Sequence, residues 1–130
     1  MPRLVLATAA VLFAAFGAAF AVAPHRLAAM VDIALPTNTA TIDFVATYGG
    51  FEIGFAIFLF YCLMRPERVR LGLLASAWAV TGFAATRAIG LLVFGGASSV
   101  MYGALGFETV CATAAFVAAS RASRDQLTRL

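Results

Sequence analysis

A chain of 130 residues that is 63% hydrophobic and only 12% charged cannot bury its apolar surface in a soluble fold of this size. The composition excludes a water-soluble domain and predicts one integral membrane domain over residues 1–130. The formal net charge is +3, but the basic residues are all arginines that cluster at the ends of apolar runs, which excludes a nucleic-acid partner.

The first apolar run covers residues 4–23 and follows Arg3. An apolar segment that ends in small residues, here Ala21-Val22-Ala23, is typical of a signal peptide. However, signal peptidase tolerates poorly a proline directly after the cut, and Pro24 stands there. We therefore predict an uncleaved first transmembrane helix.

A polar-leaning connection follows at residues 24–41. Its first half, residues 25–35, mixes charged with apolar side chains, which predicts a short amphipathic helix at the membrane interface. Pro36 and the polar residues after it end that helix. Thr41 is the predicted N-cap of the next span.

Three further apolar runs are long enough to cross a bilayer, which takes roughly 20 residues. They cover about residues 42–64, 71–94 and 100–119, and a polar tail follows at 120–130. The sequence therefore predicts an all-α bundle of four transmembrane helices. Both termini and the 65–70 loop then share one side of the membrane, which carries all the arginines except Arg26 and Arg87. By the positive-inside rule, both termini face the cytoplasm, and the predicted location is the bacterial inner membrane.

Three ionisable residues lie deep within these spans: Glu52, Arg87 and Glu108. Counted from the cytoplasmic boundary, both glutamates lie about 12 residues deep, which is about 18 Å at 1.5 Å per residue. Arg87 lies one helical turn further out, at the level of Tyr48, and Tyr48 is one turn from Glu52 on the same helix face. This spacing permits a cluster in which one arginine bridges two glutamates, with a tyrosine hydroxyl in reach.

The cluster has two interpretations. One is a buried ion-pair network that fixes helix register without chemistry, since such groups usually pair with one another inside a bundle. The other is a polar pocket, in which one of two carboxylates sharing an arginine carries a proton. That pocket suits proton-coupled transport, acid–base chemistry on a lipophilic substrate, or binding of a cationic or hydrogen-bonding ligand.

Glycines surround these charges and predict close helix packing. Gly50 and Gly54 form a small-xxx-small pair, the spacing that lets a second backbone approach closely. The same packing role is predicted for four other glycines in the spans, namely Gly49, Gly90, Gly103 and Gly106. The two cysteines, Cys62 and Cys111, lie within apolar runs and are typical of small buried hydrophobes. No motif for haem attachment, zinc proteolysis or phosphate binding occurs, so we expect neither metal nor cofactor.

The motif Y-G-G-F-E-I-G at 48–54, R-A-I-G-L-L at 87–92 and a glutamate mid-way through the last span together resemble a known family. It is the bacterial family called domain of unknown function 4345, whose members are small inner-membrane proteins with four helices. The likeness departs after residue 92, where Val93-Phe94-Gly95 stands in place of a polar or acidic residue. The resemblance implies a four-helix membrane bundle with the glutamates and the arginine as its marked residues, and it implies no activity. The chain is more distantly similar to DoxX-like membrane proteins.

The function that we expect is a small non-enzymatic accessory or binding protein. It packs against membrane lipid and against itself or a larger membrane complex, and its charged cluster fixes the bundle or a lipophilic small molecule. Two alternatives stay open: a proton-coupled small-molecule transporter that uses Glu52 and Glu108, and a membrane enzyme acting on a lipid or isoprenoid.

Overall fold

The computed structural model describes the backbone of residues 1–127 and the side chains of residues 1–123. This part of the chain is helical and contains no strand. The helices are α1 (Pro2–Val22), α2 (Pro24–Ala29), α3 (Asn38–Phe44), α4 (Phe51–Leu63), α5 (Val69–Phe94) and α6 (Ser99–Leu127). A π-helical segment, Val45–Gly50, joins α3 to α4, and a 3₁₀ turn, Pro66–Arg68, leads into α5.

Four stretches are long and apolar enough to cross a membrane, which confirms the predicted four-helix architecture. They are Pro2–Val22, Asn38–Leu63, Pro66–Phe94 and Ser99–Ser123. The last helix runs past the predicted limit at residue 119, because no glycine or proline interrupts it there and Ala122 is buried against the other helices. The end of the predicted polar tail, residues 128–130, lies outside the described residues.

The connection after α1 differs from the prediction. Its short helix ends at Ala29 and not near residue 35, since the chain turns at Asp32, which adopts a left-handed φ of 59°. The N-cap of the second span is Thr37 and not Thr41. The Thr37 backbone is extended, with φ −135° and ψ 158°, and its side chain accepts a hydrogen bond from the Ala40 N–H at 3.1 Å. The second span therefore begins one helical turn earlier than predicted.

Replacing the cap residue should loosen the start of this span. We expect Thr37→Ala to destabilise α3 by about 0.5–2 kcal/mol, because a first-turn N–H loses its acceptor. The measurement is hydrogen exchange of the amides of residues 38–44 in detergent. Thr39→Ala is the matched control, since Thr39 is exposed and its side chain makes no hydrogen bond within the described residues. Equal exchange in the two variants would contradict the assignment of Thr37 as the cap.

All four long helices meet at one end of the bundle. We call this the terminal end, because it holds the start of α1, the turn between α4 and α5, and the C-terminal part of α6. The core there contains Leu6, Ala10, Leu59, Cys62, Val69, Leu73, Ala118, Ala119 and Ala122. Lipid tails are as apolar as leucine, so helices in a membrane associate through close packing and not through removal of water. The small α6 residues in the core fit that requirement.

Polar contacts reinforce the terminal end. The Arg3 guanidinium donates to the Leu63 carbonyl oxygen at 3.0 Å, which provides a partner at a helix end where carbonyls lack one. The Arg68 guanidinium carbon lies 4.2 Å from the centre of the Tyr61 ring, a cation–π contact. These contacts hold the α4–α5 turn against the start of α1.

Toward the opposite end, which we call the far end, the helices associate as two pairs. The α1 helix packs along the π-helical segment and α4, and α5 packs along α6. In the far half of α5 (residues 78–94) and the far half of α6 (residues 99–111), no residue is buried. The pairs still touch on the α1–α6 side, where the Phe16 and Phe107 rings are 6.5 Å apart. On the α4–α5 side, no aromatic contact joins the two pairs within the described residues.

The closest helix crossing lies between α1 and the π-helical segment. An added Cβ on Gly17 would lie 2.9 Å from the Gly49 carbonyl oxygen and 2.9 Å from the Ile53 backbone nitrogen. An added Cβ on Gly49 would lie 3.2 Å from the Ala21 backbone nitrogen. Glycine at both positions therefore lets the two backbones touch, and Gly17 was not singled out from the sequence.

The other glycines predicted to pack have no such neighbour among the described residues. An added Cβ on Gly54, Gly103 or Gly106 would meet no heavy atom within 4 Å. At Gly50 and Gly90 the nearest atoms belong to the same helical stretch, at 3.9 and 4.0 Å. Within one chain, close approach is thus found at Gly49 alone of the six predicted positions.

Candidate functional site

Arg87 on α5 and Glu108 on α6 form an ion pair. The arginine Nη2 lies 2.6 Å from the glutamate Oε1, and Nε lies 3.1 Å from Oε1 and 3.0 Å from Oε2. The two side chains are 25% and 14% exposed, so the pair is largely shielded. A guanidinium that donates from two nitrogens to one carboxylate is the strong, directional form of this contact. The pair therefore fixes the register of α5 against α6.

Arg87 has a further partner on α6. Its Nη1 donates to the Met101 sulfur at 3.1 Å, two helical turns before Glu108. No hydrogen bond or ion pair joins Arg87 to Glu52 within the described residues. Of the two contacts that the spacing permits, Arg87 therefore makes the one with Glu108, and it does not bridge the two glutamates.

Glu52 on α4 is left without a partner. Its Oε2 is shielded from solvent and makes no hydrogen bond in the structure. The side chain borders a cavity of about 320 Å³ whose other lining residues are Thr47, Tyr48, Phe51 and Phe83. Phe83 belongs to α5, so this cavity lies between α4 and α5, and we call it the α4–α5 cleft. It occupies the side where no aromatic contact joins the two helix pairs within the described residues.

The π-helical segment shapes one wall of the cleft. At its end, the Phe51 N–H bonds to the Ala46 carbonyl, five residues back, where an α-helix would use the residue four back. Such a segment holds one extra residue per turn and turns the following side chains relative to a regular helix. Tyr48 and Glu52 nevertheless both line the cleft, as their predicted common face requires.

Aromatic rings support this wall from behind. The Tyr48 ring lies 4.7 Å from the Phe44 ring and 5.6 Å from the Phe20 ring, and Phe20 and Phe44 are 5.7 Å apart. Phe20 comes from α1, so the cluster joins the π-helical segment to the first helix. These contacts hold Tyr48 at the edge of the cleft, one helical turn from Glu52.

A second hollow adjoins the cleft near the far end. Its volume is about 340 Å³, and it shares Thr47 and Tyr48 with the cleft. The acid in its wall is Asp43, which is exposed. The remaining lining residues are Ile33, Ala34, Leu35, Ala40 and Phe44. The chain between α2 and α3 therefore covers one end of this hollow.

Several residues of the site were not singled out from the sequence. Phe83 precedes Arg87 by four residues and Met101 precedes Glu108 by seven, so helical periodicity places each on the face of a marked residue. That signal could have identified both. The π-helical segment has no periodic signature, although paired glycines at Gly49 and Gly50 beside a charged residue were visible. Thr47 and Phe51 can be assigned to the cleft only once the π-helical segment is known.

The cleft offers hydrogen-bonding and aromatic groups, and no metal-binding set. No group of three or more histidine, cysteine, aspartate or glutamate residues lies together in the described part of the chain. Cys62 belongs to the core at the terminal end, as expected for a small hydrophobe, and Cys111 is partly buried. The cleft can therefore present a carboxyl group, two hydroxyls and three aromatic rings to a bound molecule.

Comparison with known families found a match over most of the chain. The family described as domain of unknown function (DUF4345) matches residues 1–119. The chain belongs to this DUF4345 family. No curated protein and no solved structure matches it. The matched region includes Tyr48, Glu52, Arg87 and Glu108, so this DUF4345 protein carries the whole cleft and the whole ion pair within its family domain.

Proposed function

We propose that this DUF4345 protein is a non-enzymatic binding protein of the bacterial inner membrane, with both termini in the cytoplasm. It holds a lipophilic molecule in the α4–α5 cleft, while the Arg87–Glu108 pair keeps α5 and α6 in register. The observation that carries the proposal is the unpartnered Glu52 Oε2 at the border of an apolar cavity. The arrangement of arginines supports the orientation.

Energetics favour a binding role for Glu52 over a structural one. An acid near the middle of a span costs about 2.5–3.5 kcal/mol on insertion scales, and such residues usually face a partner or a cavity. The Arg87 guanidinium is already bonded to Glu108 and Met101. A structural ion-pair network explains Arg87 and Glu108 and leaves Glu52 unexplained. A ligand that bonds to Glu52 accounts for it.

The exposed glycines support an additional contact outside the chain. Gly50, the last residue of the π-helical segment, and Gly54 on α4 are both exposed, and an added Cβ on Gly54 would meet no atom of the described chain within 4 Å. Their small-xxx-small spacing suits a second helix from another copy or from a larger membrane complex. We propose this surface as the contact site for that second helix, and the mass of the purified assembly tests it.

The test is native mass spectrometry of the protein purified from bacterial membranes in a mild nonionic detergent. We expect the wild type to carry a small-molecule mass, and Thr47→Trp to lose it, because an indole at that position fills the cleft. Thr113→Trp is the matched control, since Thr113 is exposed on α6 away from the cleft. The same spectra give the mass of any assembly.

Two outcomes would contradict the proposal. A wild-type protein without added mass that also gains no thermal stability from lipophilic additives has no occupied cleft. A retained mass that survives Thr47→Trp as well as it survives Thr113→Trp lies elsewhere on the protein.

A further inference from the structure

The chemistry of the α4–α5 cleft narrows the class of ligand. Its lining combines one carboxyl group, Glu52, with three aromatic side chains, Tyr48, Phe51 and Phe83. An ionised carboxylate accepts hydrogen bonds and donates none. Aromatic faces attract cations through the ring quadrupole. Both kinds of group therefore favour the same ligand feature, a positive charge with N–H donors.

The charges around the cleft also favour a positively charged ligand. Arg87, the arginine deep within the spans, donates from Nε and Nη2 to Glu108 and from Nη1 to Met101. It is thus engaged on α6 and leaves Glu52 available. The acid of the adjoining hollow, Asp43, adds negative charge on the approach to the cleft. No basic residue lines either space.

The size and the edges of the cleft define the rest of the ligand. A volume of about 320 Å³ accommodates a head group and the first part of an apolar tail. Tyr48, Phe51 and Phe83 are 39%, 55% and 40% exposed, so the cleft opens sideways between two spans. An apolar tail can therefore lie along the lipid-facing surface of α4 and α5.

Resting on the proposed binding function, we propose that the ligand is a lipophilic amine that binds in its protonated form. Its ammonium group donates a hydrogen bond to the unpartnered Glu52 Oε2 and packs against the rings of Phe51 and Phe83. The cleft thereby selects amines over alcohols of the same chain length.

The test compares three probes with one apolar tail: dodecylamine, dodecyltrimethylammonium and dodecanol. Their dissociation constants are measured by titration calorimetry of the full-length protein in nonionic detergent, after subtraction of titrations into empty micelles. We expect dodecylamine to bind roughly 10- to 100-fold tighter than dodecanol, because both can donate a hydrogen bond to Glu52 but only the ammonium group adds a positive charge to it. Dodecyltrimethylammonium, which has the charge and no N–H donor, should fall between them.

Variants locate the preference. Glu52→Gln should remove most of the difference between amine and alcohol, because it weakens the binding of the amine far more than that of the alcohol. Asp43→Asn, which removes the same charge from the adjoining hollow, is the matched control and should keep the difference. The ranking of the three probes on the wild type decides the inference even where a variant fails to fold.

Each failure has its own signature. If all three probes bind equally and Thr47→Trp abolishes their binding, the cleft is a ligand site but the amine inference is wrong. If Asp43→Asn weakens amine binding as much as Glu52→Gln does, general charge attraction and not the cleft explains the preference. If no probe binds the wild type at all, the proposed function is overturned as well.

Discussion

Gly17→Leu should abolish the recovery of folded, monodisperse protein. A Cβ at this position already lies 2.8 Å from the Ile53 Cγ1 and 2.9 Å from two backbone atoms, and a leucine adds three carbons beyond it. Backbone atoms cannot move aside as a flexible side chain can, so α1 must separate from α4. Overpacking typically costs about 1–3 kcal/mol and occasionally more, and this contact with backbone belongs at the upper limit. That is a large part of the roughly 5–15 kcal/mol that usually holds a fold together.

The measurement is size-exclusion chromatography in detergent, followed by thermal unfolding of whatever is recovered. Gly54→Leu is the matched control, because an added Cβ there meets no atom of the described chain within 4 Å and the position is exposed. It should behave like the wild type as a monomer. Equal behaviour of the two variants would show that α1 does not cross α4 at Gly17.

Arg87→Met should destabilise the bundle by about 3–5 kcal/mol, the usual cost of leaving one member of a shielded ion pair without its partner. The variant removes both donors to the Glu108 carboxylate and keeps a long apolar side chain in the same space. The double variant Arg87→Met/Glu108→Gln should recover most of the loss, since no uncompensated charge remains. The measurement is denaturant unfolding of the single and double variants, read as a double-mutant cycle.

Glu52→Gln serves as the control for this cycle. Glu52 makes no hydrogen bond in the structure, so its neutral replacement should leave the free energy of unfolding nearly unchanged or raise it. Strictly additive losses for Arg87→Met and Glu108→Gln would contradict the ion pair. A loss for Glu52→Gln as large as that for Arg87→Met would instead favour the three-residue cluster.

The sequence was sufficient to predict the features that depend on position along each helix. Hydropathy fixes how many helices cross and which residues lie at mid-depth, because both follow from counting along the chain. The common side of Tyr48 and Glu52 was predictable for the same reason. Gly49 also stood out, as a glycine beside a charge within an apolar run.

The rotation of each helix about its own axis could not be predicted by counting residues along the chain. The sequence predicts a similar depth for Glu52 and Glu108, but which of them meets Arg87 depends on how α5 is turned relative to α4 and α6. Depth alone cannot distinguish these neighbours. The π-helical segment adds to the difficulty, since one extra residue changes the direction of every later side chain on α4. The cap was misplaced because Thr37 and Thr41 are equally good cap residues in isolation.

The unequal closure of the bundle gives the proposed ligand a route into the cleft from the lipid phase. The helix pairs are joined by the core at the terminal end and by the Phe16–Phe107 contact on the α1–α6 side. The α4–α5 side is the open side. A molecule that reaches Glu52 through the α4–α5 side comes from the lipid phase of the bilayer and not from water. Its effective concentration is then set by its partition coefficient. Two ligands with identical contacts in the cleft would differ in apparent affinity simply because one dissolves better in the bilayer.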